Sequence, residues 1–373
     1  MLISREELIG INNLTHLCTG GESPGLKTHK ESIEQFFIDK ALGEEGRHRQ
    51  EFVSRNCKEK VARLLGVNAD DISFLSSTSE AINLLVYSFE WNSGDNIVVT
   101  DLEFPSNTIP WSLLEEQGVE IRVVRNNDWF IDLDAIDQAI DNHTRLVNIS
   151  HVSYFTGQRM LLKELSDLVH RKKSLLCLDV THSAGAVPVE ASYADFVVAS
   201  CYKWLMGVHG VGIFYWNRER VPELKIPFVG WNTSKSIPNP TNPGVYEPRK
   251  DGRKFTPGNE SWISVYILNN ALDCLLTIGI DKIENHILDL SGQVWDGLTD
   301  LGWNVITPKA PEHRAGNICF TGNDINSINQ YLEDNKIVIF GAYGGVNRAR
   351  VSTHFYNLKS DVDRFLDVLK EFR

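Results

Sequence analysis

Lys203 sits where a primary amine can be made reactive. In Asp195–Trp216, DFVVASCYKWLMGVHGVGIFYW, the apolar run Phe196–Ala199 predicts a strand and Ser200-Cys201 a small polar corner. Glycines 207, 210 and 212 predict a loop before a second strand over 211–216. Lys203 therefore lies at a strand exit, followed by Trp204, Leu205 and Met206, with His209 the one other ionisable cation before Arg218. Burial among such side chains disfavours the ammonium and lowers a lysine pKa from about 10.4. The neutral amine that results can attack a carbonyl and form a Schiff base. The ordinary alternative is a solvated lysine on a surface loop.

A partner stands upstream. The run LLCLD (175–179) predicts a buried strand ending in Asp179, and His182 lies in the loop that follows. Asp179 and Lys203 are 24 residues apart, enough for one short crossover to a neighbouring strand end. Pyridoxal phosphate needs such a pair, a lysine for its aldehyde and a carboxylate against its ring nitrogen. On these residues the chain, from about Gly20 to its end, resembles the class V aminotransferase family, in the cysteine desulfurase and isopenicillin-N-epimerase branch of the fold type I pyridoxal-phosphate enzymes.

The elements that must position this pair follow from the hydrophobic pattern. Residues 31–65 read as helix with a weak spot at 42–46 and a stop at Gly66. Strands over 72–75, 96–100, 119–124, 145–150, 175–179, 195–199 and 211–216 alternate with helices over 79–90, 107–117, 132–140 and 161–171. Such alternation implies an α/β fold, a three-layer, mostly parallel sheet with helices on both faces. Ligands then sit beyond the carboxyl ends of the strands. Residues 222–258 form a Pro- and Gly-rich loop, 261–297 a helix, and the remainder a smaller α+β domain with strands near 316–321 and 337–340 and helices near 324–334 and 360–372. The expected domains are 15–280, binding the cofactor, and 281–373 with 1–14.

The resemblance implies further site residues. After strand 72–75, the hydroxyls of Thr78 and Ser79 open a helix and match the family's phosphate cradle, joined by Ser200 and Tyr202. The same segment also reads as a plain capping box, Ser77 with Glu80. Phe104 matches the aromatic stacked on the cofactor ring, where the family commonly has histidine, and a phenyl ring cannot transfer protons. Tyr154 stands where desulfurases usually place asparagine, and His182 matches a polar residue against the cofactor's phenolic oxygen. Gly258 and Asn259 match a segment that reaches the phosphate of a neighbouring subunit, implying a homodimer with cross-subunit cofactor contacts. Arg350, in RVSTHFYN, matches the arginine that grips a substrate carboxylate, and Arg348 reads as a surface salt bridge.

Composition sets the outer limits. A formal charge of −12 argues against nucleic acid or anionic membrane as the main partner. No apolar run reaches the ~18 residues of a membrane span, and the charged N-terminal stretch has no signal-peptide core, so a cytoplasmic location is expected. Six scattered cysteines form no metal-binding spacing, and no metal is expected. Desulfurases carry a sulfur-accepting cysteine upstream of the arginine, yet 335–345 (NKIVIFGAYGG) has none. The expectation is therefore a lyase of amino acids, by β-elimination or C–S cleavage without an enzyme persulfide, with aminotransferase and epimerase as alternatives. Two other readings are a serine hydrolase through Ser23 in G-E-S-P-G, opposed by the missing N–H of Pro24, and a non-catalytic relative of the fold.

Overall fold

The structure is a computed structural model that describes residues 1–372 except 238, 242, 245 and 342–345. Its elements are β1 (Thr15–His16), α1 (His29–Lys40), α2 (Glu44–Leu65), β2 (Ile72–Leu75), α3 (Thr78–Ser88), β3 (Asn96–Thr100), β4 (Glu120–Val124), α4 (Leu133–Ala139), β5 (Thr144–Ser150), α5 (Leu162–Arg171), β6 (Leu175–Asp179), β7 (Phe196–Ser200) and β8 (Gly212–Trp216). There follow α6 (Trp262–Ile278), α7 (Ile280–Asp300), β9 (Asn304–Val305), β10 (Asn317–Thr321), α8 (Ile325–Asp334), β11 (Ile337–Val338), β12 (Arg348–Ser352) and α9 (Lys359–Glu371).

Seven strands form the main sheet in the order β2-β8-β7-β6-β5-β3-β4. Only β8 runs antiparallel to its neighbours. Strand parity covers both faces: Val197 and Ala199 join one apolar core, Phe196 and Val198 the other. A strand buried on both sides must be apolar at nearly every position, which is why these strands read as continuous runs. The expected three-layer α/β fold is the one observed.

Three expected elements are altered. The long helix over 31–65 is two helices, because Gly43 takes φ +61° and the turn of 41–43 folds α1 against α2. A side chain at Gly46 would collide with the Asp39 carbonyl, so this elbow needs the glycine. The helix over 261–297 breaks at Gly279, φ +91°, with a bend of 79°. Residues 109–117 form a 3-10 helix. No single helix among the described residues is long and apolar enough to cross a membrane.

The C-terminal part has its own core, built from α7, α8, α9 and the antiparallel sheet β12-β10-β9. We propose two domains divided at the Gly279 bend, with the N-terminal segment shared between them. β1 pairs with β11 and Arg5 with Asp361 at 3.0 Å, whereas Leu8 and Ile11 are buried in the main core. This departs from the expected grouping of 1–14 with the small domain.

A Cβ at Gly279 meets open space, so Gly279→Ala tests backbone strain alone. At φ +91° and ψ +129° this backbone lies outside the left-handed helical well in a region sparsely populated by residues with a side chain, and forcing alanine there costs about 1–3 kcal/mol. The expected outcome is a lower urea midpoint with an unchanged m-value.

Candidate active site

The carboxyl ends of β5, β6 and β7 lie side by side, with Ser150 and Asp179 the last residues of β5 and β6 and Lys203 in the turn after β7. After β7 the chain turns tightly: Met206 N–H donates to the Lys203 carbonyl at 3.0 Å and Gly207 N–H to the Cys201 carbonyl at 2.9 Å. Met206 sits at φ +57°, an uncommon conformation for a residue with a side chain, held by complete burial. This turn points Lys203 inward, leaving it 8% exposed.

The Lys203 amine lies 3.1 Å from Nε2 of His182. On the far side of that ring, Nδ1 receives the Trp204 indole at 3.3 Å and faces the Asn317 amide nitrogen at 3.0 Å. An indole N–H can only donate, so Nδ1 is an acceptor and the His182 proton resides on Nε2. That proton points at the Lys203 nitrogen, which can accept it only as a neutral amine. Burial, then the Lys203, Arg350 and Arg348 charges, push the His182 pKa well below the usual histidine range, which keeps the ring neutral. Burial foremost, aided by Arg350 and opposed by Asp179, brings Lys203 down to about 8.

Asp179 is buried and accepts from Thr181 N–H at 2.8 Å and from Asn107 Nδ2 at 3.0 Å. Thr78, at the start of α3, has its hydroxyl 2.9 Å from that of Ser200 and 3.3 Å from that of Thr181. Ser79 pairs with Ser106 at 2.7 Å. The cap expected at Ser77 is present as well, accepting from Glu80 N–H at 3.2 Å, while the Glu80 carboxylate takes Ser76. The cap and a hydroxyl-lined helix start therefore coexist. Phe104 lies with its ring centre 5.5 Å from the Lys203 nitrogen and meets Tyr154 edge-on at 5.1 Å. The Tyr202 ring stacks on His209 at 3.9 Å.

Arg350 lies fully inside, its guanidinium over the Phe340 ring at 4.6 Å and Nη1 donating to the Tyr154 carbonyl at 2.8 Å. Its Nε is buried and has no partner among the described residues. Gly20 passes so close that a Cβ there would fall 3.1 Å from this Nε. Arg348 corrects an expectation: it is no surface salt bridge but wholly buried, donating to the Phe155 carbonyl at 2.9 Å and lying over that ring at 4.3 Å. Residues two apart on a strand share a face, so the R-A-R spacing carried the signal that Arg348 goes where Arg350 goes. Ser23 does not form a hydrolytic pair, since its hydroxyl donates to the Tyr202 carbonyl at 2.9 Å. Within one chain Gly258 and Asn259 stay apart from this cluster. Asn232 donates to the Gly258 carbonyl at 3.3 Å and Arg47 to Asn259 at 3.4 Å, beside a cavity of about 560 Å³.

Residues 44–365 match the family model described as aminotransferase class-V. The chain belongs to the class V aminotransferase family. An uncharacterized aminotransferase of Schizosaccharomyces pombe is 28% identical, covering 84% of this chain and 80% of that one. A probable cysteine desulfurase of Methanothermobacter thermautotrophicus is 27% identical, with 85% and 83% covered. The apo cysteine desulfurase of Thermococcus onnurineus NA1 superposes with a TM-score of 0.89 at 23% identity, covering 99% of this chain and 96% of that one. The cystine C-S lyase C-DES, solved with cysteine persulfide, gives 0.89 at 20% identity, with 97% and 98% covered. These likenesses place the fold among the fold type I enzymes, and class V aminotransferases depend on pyridoxal phosphate.

The site fits that group. Asp179 and Lys203 are buried, close enough to feel each other's charge, yet no ion pair joins them. A bound group with an aldehyde at one end and a basic ring nitrogen elsewhere satisfies both. Sequence reasoning missed Glu103, Asn107, Trp204 and Asn317. The first two lie in the loop after β3, where a carboxylate and an amide four residues apart beyond a buried strand were the available signal.

If the His182 tautomer holds Lys203 neutral, reversing it must strengthen the ammonium. The double variant Trp204→Phe with Asn317→Asp replaces donors to Nδ1 by an acceptor. The midpoint for acylation of Lys203, followed by mass spectrometry across pH, is expected to move alkaline of about 8.

Proposed function

We propose that this protein is a pyridoxal-phosphate enzyme that cleaves an amino acid at its β-carbon, by elimination or C–S scission, without a persulfide on the enzyme. The observation that carries the reading is the Lys203 amine, buried, 3.1 Å from Nε2 of His182 and brought down by burial to a pKa of about 8. Pyridoxal phosphate, when bound, supplies an aldehyde that links to an amine and a ring that draws electrons from the substrate α-carbon.

The chain's own residues then divide the work. Lys203 would hold the aldehyde and, as a free amine, would take the proton from the substrate α-carbon, a task suited to a base poised near neutral pH. His182 orients that amine and faces the phenolic oxygen. Asp179 holds a proton on the ring nitrogen. Thr78, Ser79 and Ser200, with the N-terminus of α3, bind the phosphate, since free N–H groups and the helix dipole favour an anion there. Tyr202 borders this cradle, and Phe104 and Tyr154 wall the ring. The fork of Arg350 takes the substrate carboxylate, its unpartnered Nε supplying a donor. Gly258 and Asn259 reach the phosphate of a second copy in a homodimer, which accounts for their distance from Lys203 within one chain.

The cysteines support the lyase reading over a desulfurase with an enzyme-bound sulfur. Thiolates, not thiols, accept sulfur. Cys18 and Cys319 both lie beside Arg350 and both are buried, and burial pushes the Cys18 thiol above the ordinary range. Burial does the same to Cys57, Cys177, Cys201 and Cys274. The segment 335–345, upstream of Arg350, lies partly outside the described residues, and its sequence contains no cysteine. An aminotransferase is the second reading, favoured by the name of the fission-yeast relative.

Incubation with cysteine and cystine is expected to release pyruvate; a keto acid retaining the substrate side chain shows transamination instead, and an inverted isomer shows epimerisation. Uptake of pyridoxal phosphate by the apo chain is expected to accelerate through a midpoint of about 8, as Lys203 loses its proton. A midpoint near that of free lysine rules out the neutral-amine account. Arg350→Lys is expected to raise KM roughly tenfold or more while leaving cofactor affinity intact, since a hydrogen bond between charged groups is worth about 1.5–3 kcal/mol.

A further inference from the structure

Behind Asp179 the fold places a second buried carboxylate. Glu103 is 8% exposed and accepts four hydrogen bonds: Ser150 N–H at 2.9 Å, the Ser150 hydroxyl at 2.5 Å, Asn107 Nδ2 at 2.9 Å and the Thr100 hydroxyl at 3.3 Å. A carboxylate has about four acceptor sites, so this set occupies all of them and offers no acceptor to a proton. Burial raises the proton affinity of Glu103 and the Asp179 charge adds to it, while Ser150 and Asn107 oppose. The balance moves the Glu103 pKa upward, and the four donors around it favour the ionised form.

Asn107 joins the two acids. Its amide nitrogen has two hydrogens and lies 2.9 Å from Glu103 Oε2 and 3.0 Å from Asp179 Oδ2, with the Ser150 hydroxyl at 3.3 Å. The residue is fully buried, its main-chain carbonyl accepts from Asn148 Nδ2 at 2.8 Å, and the side-chain amide is oriented by the acceptors around its nitrogen. Among the described residues no lysine or arginine forms an ion pair with either acid. Two buried carboxylates around one amide repel each other and favour any cation that comes between them and the Lys203 cavity.

We propose that Glu103 is a positioning residue that acts on Asp179 through Asn107, making a two-carboxylate cradle that selects a protonated nitrogen ring over a neutral ring of the same shape. The proposal rests on the reading of Asp179 as the partner of the ring nitrogen. Glu103 touches neither cofactor nor substrate. Its charge and the fixed amide set how strongly Asp179 holds a cationic N–H.

The test is a ratio of affinities, measured on the apo chain by tryptophan fluorescence quenching with pyridoxal phosphate and with its 1-deaza analogue, in which carbon replaces the ring nitrogen. In the unsubstituted chain pyridoxal phosphate binds more tightly. In Glu103→Gln this preference is expected to fall roughly tenfold, one pKa unit's worth of charge interaction, with the analogue's affinity changed less than about twofold. Glu103→Asp, which keeps the charge, is expected to restore most of it. Asn107→Leu, which cuts the bridge and leaves Glu103 in place, is expected to lower the ratio as well and keeps the test open should Glu103→Gln fail to fold. A ratio unchanged in both Glu103→Gln and Asn107→Leu, even if both affinities drop together, overturns the proposal and leaves Glu103 a packing group. Equal affinities in the unsubstituted chain overturn the Asp179 assignment itself, and this proposal with it.

Discussion

The hydrogen bond between His182 and Lys203 requires that one side of a 3.1 Å contact be an acceptor, and that requirement reaches far into the fold. His182 can donate to the amine only because Trp204 donates to its other nitrogen. Trp204 is held in turn by His354, whose ring lies 3.0 Å from the Trp204 carbonyl, and by Gly316, where a Cβ would overlap the indole. His354 and Asn317 belong to the C-terminal half of the chain. The protonation of Lys203 is thus set jointly by the main sheet and by the smaller sheet packed against it.

The same two halves meet around Arg350. β12 brings Arg348 and Arg350 to the carbonyls of Tyr154 and Phe155, which leave β5 of the main sheet. Buried guanidinium groups are costly unless their hydrogens find acceptors. Backbone carbonyls at a loop serve without adding a negative charge, so the positive potential is left for a ligand. The Arg350 guanidinium also lowers the proton affinity of both neighbouring nitrogens, on Lys203 and His182.

Charge in this site is kept apart: carboxylates at or just beyond the ends of β3 and β6, the Lys203 amine after β7, guanidinium groups from β12. Each is buried, and each is held by neutral donors or acceptors instead of by its opposite. Collapse of Asp179 onto Lys203 would satisfy both and leave no room for a ligand. The rigid turn at Met206 and the Asn107 bridge hold them apart.

Much of this was legible in the residues. Strand parity and apolar runs gave the three-layer sheet, glycines marked the breaks, and Asp179, His182 and Lys203 were readable because chemistry of this kind falls just beyond strand ends. Arg348 was misread because a pattern search stops at the matched arginine, while strand geometry carries its neighbour inward too. The interruption at Gly43 fell within the weak spot read at 42–46, whereas the one at Gly279 depended on a positive φ angle that glycine permits but does not announce. What only tertiary structure decided is the partnership of distant side chains: Trp204 and Asn317 on His182, Glu103 on Asp179 through Asn107. Residue type fixes what a group can donate or accept, and hydrophobic period fixes which face it occupies. Which donor meets which acceptor is settled by the packing of elements far apart in the chain, 135 residues between Asn317 and His182 and 196 between Arg350 and Tyr154, and no local pattern encodes that distance.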